Sequence, residues 1–176
     1  RIFASKPERG DVIVFRLPLN PDINYVKRLI GLPGDRIQVK DSVLYLNGAV
    51  VPRQMVKPFL TKDKDGKDIK IDQYRETLPS GKSYNIIERA YDLPQDNTRV
   101  YTVPKDHYFF MGDNRDNSKD SRFIYDVGFV PYKNLVGQAK MVFISYDRSE
   151  EPHNIFYRIY EFFTKMRFTR IFKAID

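Results

Sequence analysis

At 176 residues the chain is long enough to bury one hydrophobic core, with room for a smaller appended domain. It contains no cysteine, which excludes disulfides, thiolate metal sites and cysteine catalysis, and no run of 18 apolar residues marks a membrane-spanning helix. A formal net charge of +7 at pH 7 suits nucleic acid or an anionic membrane surface equally well.

Taken in order, residues 11–17 are rich in β-branched side chains and predict a buried strand, closed by a turn at Pro18, Leu19, Asn20 and Pro21. Residues 25–30 predict the next strand, and Gly31-Leu32-Pro33-Gly34-Asp35 a tight turn. Residues 36–39 and 43–46 pair across a turn at Lys40, Asp41 and Ser42, and Asn47-Gly48 signals a further hairpin leading into residues 49–51. The opening third therefore reads as a meander of short strands.

From Arg53 to Pro104 the composition shifts toward charge. Exposed turns are expected at residues 62–68 and 80–82. Between them residues 69–71 and 74–78 alternate like strands with one wet face, as in an inserted β domain with a structural role. Residues 108–111, all apolar, are a short strand candidate that brings the chain back to the core, followed by the apolar residues 123–125 and a long apolar strand candidate at 137–144.

The stretch that stands out is GDNRDNSKDSR at residues 112–122, which gathers three Asp, two Asn, two Ser, two Arg and a Lys behind one Gly. Such side chains hydrogen-bond the backbone locally and form charge-assisted pairs that set a loop's shape. An ordinary solvated turn is the plain reading. A calcium loop fails on spacing: Arg115 and Asn117 fall on ligand positions, Ser118 replaces the required Gly, and no Glu closes the loop.

Three stretches in fixed order carry a resemblance: Arg9-Gly10-Asp11-Val12-Ile13-Val14-Phe15, the run from Asn24 to Asp35 that holds Tyr25-Val26-Lys27-Arg28, and the GDNRDNSKDSR loop. Together they closely resemble the type I signal peptidases, membrane-bound Ser-Lys endopeptidases that remove signal peptides from exported proteins, over nearly the whole chain. The family's Ser-x-Met-x-Pro segment, which carries the nucleophilic serine, is not among these residues, and Ser5 lacks its Met and Pro spacing. The expectation is that this segment and the family's membrane anchor lie upstream, and that the chain as given does not cleave on its own.

The resemblance implies a mostly β, split catalytic domain (residues 1–52 and 105–150), a smaller inserted β domain (53–104) and a basic helical tail (151–176). It implies Lys27 as general base and Ser118 as the hydroxyl that orients it. Arg28, Asp113, Asp120 and Arg122 become the charged scaffold around that pair, and Asn24, Tyr25 and Val26 the strand that pairs with the signal peptide. No cofactor or metal is expected. A free lysine has a pKa of about 10.4, so about one molecule in 2,500 is a neutral amine at pH 7. Burial has to lower that value, and Val26, Leu29 and Ile30 are the expected apolar surroundings. Preprotein signal peptides and an anionic lipid surface are the implied partners, and the outer face of the bacterial cytoplasmic membrane the implied place.

Other readings have less to stand on. His107 and His153 sit in no nucleophile-elbow or metal-ligand spacing. A self-cleaving Ser-Lys repressor would bring a cleavable segment and DNA-binding helices, which are not found. A basic β module binding single-stranded nucleic acid would need its aromatics, 14% of residues, among Lys and Arg on one sheet face, whereas several lie in apolar runs. In the tail, Ile155, Phe156, Ile159, Phe162, Phe163 and Met166 share one helical face while Phe168, Ile171, Phe172 and Ile175 fall opposite. A break near Arg167 is expected, with Arg158, Lys165, Arg167, Arg170 and Lys173 facing lipid headgroups.

Overall fold

The computed structural model describes residues 6–139, 141–142 and 173–174. Two compact units are distinguished, Arg1–Gln138 and Ala139–Asp176. In the second, the described residues form one antiparallel pair, Met141–Val142 with Lys173–Ala174. The helical, lipid-facing reading of residues 151–176 lies outside the described residues, apart from Lys173–Ala174, which are extended rather than helical.

The first unit is built from antiparallel strands: β1 (Val12–Leu17), β2 (Asn20–Gly31), β3 (Arg36–Lys40), β4 (Val43–Leu46), β5 (Ala49–Val50), β6 (Arg53–Met55), β7 (Phe59–Lys62), β8 (Asp68–Thr77), β9 (Ser83–Glu88), β10 (Tyr101–Thr102), β11 (His107–Met111), β12 (Val130–Pro131) and β13 (Leu135–Gln138). They form three sheets, ordered β12-β11-β2-β1-β13, β10-β3-β4-β5 and β6-β8-β7, with β9 also on β8. The expectation of a mostly β chain holds, and no α-helix occurs among the described residues.

Hairpin chemistry sets much of the register. Asp41 and Ser42 both have positive φ, as do Asn47 and Gly48, so two-residue turns of the twist-compatible kind join β3 to β4 and β4 to β5. At the β1–β2 hairpin the turn is tighter than expected. Asn20 already faces Leu17 and Asn24 faces Arg16, leaving Pro21, Asp22 and Ile23 as an exposed bulge that tolerates a proline.

The continuous apolar run of β11 is explained by burial on both faces. Tyr108 and Phe110 pack with Ile13, Phe15, Leu29, Val127, Val130 and Leu135. Phe109 and Met111 pack in a second core with Ile30, Ile37, Leu44, Leu46 and Val103, which also takes in Leu78, Tyr84 and Ile86 from the segment around β8 and β9. The aromatics Tyr108, Phe109 and Phe110 of that run are thus core residues.

Several expectations change. Strands β6, β7 and β9 were not foreseen, and residues 69–71 and 74–77 belong to one strand, β8. The apolar residues 123–125 lie in a turn, in which the Phe123 carbonyl accepts the N–H groups of Asp126, Val127 and Gly128. The stretch 137–144 is no single strand: β13 ends at Gln138 and the next described strand begins at Met141.

Candidate active site

Strand β2 carries Lys27 at the point where its neighbours change. On one edge β2 pairs with β1 along its length, Ile13 facing Lys27 and Val14 facing Val26. On the other edge β11 pairs with Gly31, Leu29 and Arg28 and then stops at Met111. Among the described residues no strand pairs with residues 24–27 on that side. Leu29 exchanges backbone hydrogen bonds with Gly10 and Asp11 on the β1 side, so by strand alternation the N–H and C=O groups of Val26 and Asn24 point to the unpaired edge.

The polar loop is what takes β11 away. Immediately after Met111, the Gly112 N–H donates to Asp120 Oδ2 at 2.9 Å, and the loop folds back so that Ser118 lies under Gly112. A Cβ on Gly112 would stand 2.0 Å from Ser118 Oγ and 2.5 Å from its Cβ, so no side chain fits there. Ser121 closes the loop on the strand, its Oγ accepting the Phe110 N–H at 2.9 Å and its N–H donating to the Phe110 carbonyl.

This geometry brings together all six charged and polar residues predicted from the sequence for the pair and its scaffold. Lys27 Nζ donates to Ser118 Oγ at 2.8 Å, and Ser118 is only 5% exposed. Arg28 holds Asp113 with both arms of its guanidinium, Nε to Oδ1 at 2.9 Å and Nη2 to Oδ2 at 2.8 Å, while Nη1 donates to the Gly10 carbonyl. Asp120 and Arg122 are likewise doubly bonded, at 2.9 Å through Nε and Nη2, and both are buried.

Burial is the leading influence on the Lys27 amine and pushes its pKa below the ordinary lysine value. Asp120 pulls it back up, Arg122 pushes it down and Asp113 raises it. The neighbouring cations therefore do not dominate, since the carboxylates largely offset them. The apolar surroundings also differ in detail from the expectation. Lys27 shares its face of β2 with Tyr25 and Leu29, its Nζ lying 5.5 Å from the centre of the Tyr25 ring, whereas Val26 points to the other face and is 53% exposed. Asn24 is exposed and Tyr25 half-buried, its ring 6.1 Å from that of Phe15.

Sequence reasoning missed a second tier. Glu76 on β8 is completely buried and takes both arms of Arg115, at 2.7 and 2.5 Å, together with the Tyr84 hydroxyl at 2.9 Å. Burial and the Glu76 charge hold the Tyr84 phenol well above its ordinary pKa, so it stays a donor. Burial alone would push the Arg115 guanidinium down, and Glu76 more than reverses this. Strand β9 also pairs with the loop: the Ile87 N–H donates to the Asp113 carbonyl and the Arg115 N–H to the Ile87 carbonyl. Asp116 accepts the N–H groups of Arg89 and Ala90. One signal was present, since Glu76 alternates in register with the inward-facing Tyr74 and Leu78. A carboxylate on an inward position calls for a buried partner.

A lysine amine depressed in pKa, held by a buried hydroxyl and set beside an unpaired strand edge, can accept a proton from a group delivered along that edge. Comparison with known proteins places this chain in a family. Residues 2–144 match the family described as signal peptidase, peptidase S26. The chain is 40% identical to signal peptidase I of Rickettsia akari (strain Hartford), over 99% of this chain and 68% of that protein. The same identity and coverage relate it to signal peptidase I of Rickettsia prowazekii (strain Madrid E). Among solved structures it is similar to a signal peptidase I from Enterococcus faecalis V583, 28% identical, covering 77% of this chain and 97% of that one with a TM-score of 0.45. The chain belongs to the signal peptidase S26 family.

Proposed function

We propose that Lys27 is the general base of a serine endopeptidase that removes signal peptides from preproteins, with Ser118 as the hydroxyl that orients it. Signal peptidase I function follows from family membership and from relatives matched over almost the whole chain. The single observation that supports the roles is the 2.8 Å bond between Lys27 Nζ and a buried Ser118 Oγ at the start of the unpaired β2 edge.

In this reading a preprotein lies along β2 as an added strand, bonding to the backbone of Asn24 and Val26, with small pockets reading alternate side chains. The attacking serine gives its proton to the Lys27 amine as its Oγ bonds to the scissile carbonyl carbon. The lysine then passes that proton to the departing amine, and the resulting acyl-enzyme is opened by water that Lys27 deprotonates in turn. Ser118 accepts one N–H of the amine, which leaves the lone pair free to face the nucleophile.

Ser118 is too deeply buried to attack a peptide itself, so the nucleophile in this reading is a serine outside the described residues, on a Ser-x-Met-x-Pro segment upstream. Residues 53–104 act as an inserted module that supports the loop. The enzyme works at the outer face of the bacterial cytoplasmic membrane, the basic residues of 151–176 meeting anionic lipid.

The test incubates a purified preprotein with residues 1–176 and, in parallel, with the chain extended upstream through that segment. Mature product from the extended chain alone is the expected result. Specific cleavage by the short chain that is lost on Ser5→Ala would overturn the placing of the nucleophile, and cleavage by neither would overturn the peptidase reading.

A further inference from the structure

The residues that touch Lys27 and Ser118 are tied to one carboxylate on a different sheet. Glu76 on β8 holds the Arg115 guanidinium with both oxygens, and its Oε2 also accepts the Tyr84 hydroxyl. From Arg115 the connection runs through its main-chain carbonyl, which accepts Arg122 Nη2. Arg122 clasps Asp120, and Asp120 receives the Gly112 N–H directly above Ser118. From Tyr84 it runs through the ring, whose face lies 4.1 Å from the Arg28 guanidinium. Arg28 is next to Lys27 in β2 and is bidentate to Asp113. The two routes leave one buried group and end on the two sides of the Lys27–Ser118 pair.

We propose that Glu76 is a positioning residue for the Lys27–Ser118 pair, acting through Arg115 and Arg122 on one side and through Tyr84 and Arg28 on the other. The sheet of β6–β9 then sets the geometry of reacting groups it does not carry. The inference rests on the reading of Lys27 as the base.

A purely stabilising ion pair makes a different prediction. Replacing a buried pair by apolar side chains of similar volume is often neutral or even stabilising, whereas removing one partner is not. The discriminating variant is therefore Glu76→Leu with Arg115→Met and Tyr84→Phe, which removes the network without leaving a charge or hydroxyl unpaired.

Two measurements are made on parent and variant: the titration of Lys27 by NMR of lysine-labelled residues 1–176, with Lys27→Ala used to assign the signal, and the kcat and KM for preprotein cleavage in the upstream-extended enzyme. The parent Lys27 is expected to titrate below the ordinary lysine value. In the folded variant that titration should rise by about half a pH unit or more, as the amine loses its fixed surroundings. The kcat should fall by roughly tenfold or more with little change in KM, since misplaced catalytic groups slow chemistry rather than binding.

A folded variant whose Lys27 titration and kcat match the parent overturns the inference. If the triple variant does not fold, Tyr84→Phe alone is read the same way. A smaller shift in the same direction supports the inference, and an unmoved titration and kcat overturn it. A parent Lys27 that titrates at its ordinary value would instead remove the reading of Lys27 as the base, so the two failures are distinguishable.

Discussion

Gly112 is the narrowest point of the site, because the space a side chain would fill is already occupied by Ser118. Gly112→Ala should push the loop off Lys27, lowering preprotein cleavage by about a hundredfold, with about 1–3 kcal/mol lost from overpacking. Urea unfolding and a cleavage assay measure the two effects separately, and an Ala variant with parental turnover would mean that the loop yields without cost. Ser118→Ala should slow cleavage and move the rising limb of the pH–rate profile upward. The amine loses the partner that holds it, and the limb reports the base. A profile that keeps its midpoint would count against the Lys27–Ser118 contact. At this scale Lys27, Ser118 and their charged neighbours were legible because three motifs in fixed order point to them. Glu76 and Tyr84 were not, since Glu76 takes its cation from a loop some forty residues on and Tyr84 lies against Arg28 of β2, and no local spacing encodes either pairing.

Turns and hairpins were the most legible elements. Asn47-Gly48 and the Asp41-Ser42 pair fall where positive φ is needed, and the strands beside them begin and end close to their predicted bounds. Strands β6 and β7 were hidden because they are only three and four residues long, and all three of β6, β7 and β9 are extended through their pairing with β8. Residues 123–125 are apolar yet lie in a turn, the Phe123 carbonyl being taken by the N–H groups of Asp126, Val127 and Gly128 rather than by a neighbouring strand. The turn between β2 and β3 carries a pH-dependent prediction. Burial pushes the Asp35 carboxyl up, but bonds from Arg9, Asn47 and the Leu32 N–H outweigh it and hold its pKa below the ordinary value. A carboxylate depressed in the folded state contributes stability above its unfolded pKa, and this is lost as pH falls through the folded pKa. Asp35→Asn should therefore be less stable than the parent at neutral pH, with the gap closing below about pH 4. A gap that stays constant from pH 7 to pH 3 in chemical unfolding would contradict this. At the β8–loop junction, Arg115→Ala strands the Glu76 carboxylate and should cost about 3–5 kcal/mol. A loss below about 1 kcal/mol in urea unfolding would show that Glu76 finds another partner.

Across the whole first unit, the five-stranded sheet is buried on both faces only along β11 and the end of β2, and the site lies where β11 gives way to a polar loop. That arrangement explains why a lysine can sit beside a packed core yet reach an open strand edge: β1 covers one side of β2 throughout, while β11 covers the other only as far as Arg28. The mostly β character was readable from strand periodicity, whereas the sharing of a core between β3, β4 and the segment around β8 and β9 depends on contacts that only the folded chain brings together. The proposed chemistry turns on the Lys27 amine, and the absence of cysteine from residues 1–176 allows that amine to be removed and put back. In the upstream-extended enzyme, Lys27→Cys should be inactive on a preprotein, because a thiol in this place cannot stand in for the amine. Alkylation of the introduced thiol with 2-bromoethylamine rebuilds a side chain of lysine length ending in an amine and should restore cleavage, while alkylation with an uncharged ethyl group should not. Cleavage by Lys27→Cys before any alkylation, at a rate within tenfold of the parent, would contradict the role assigned to Lys27.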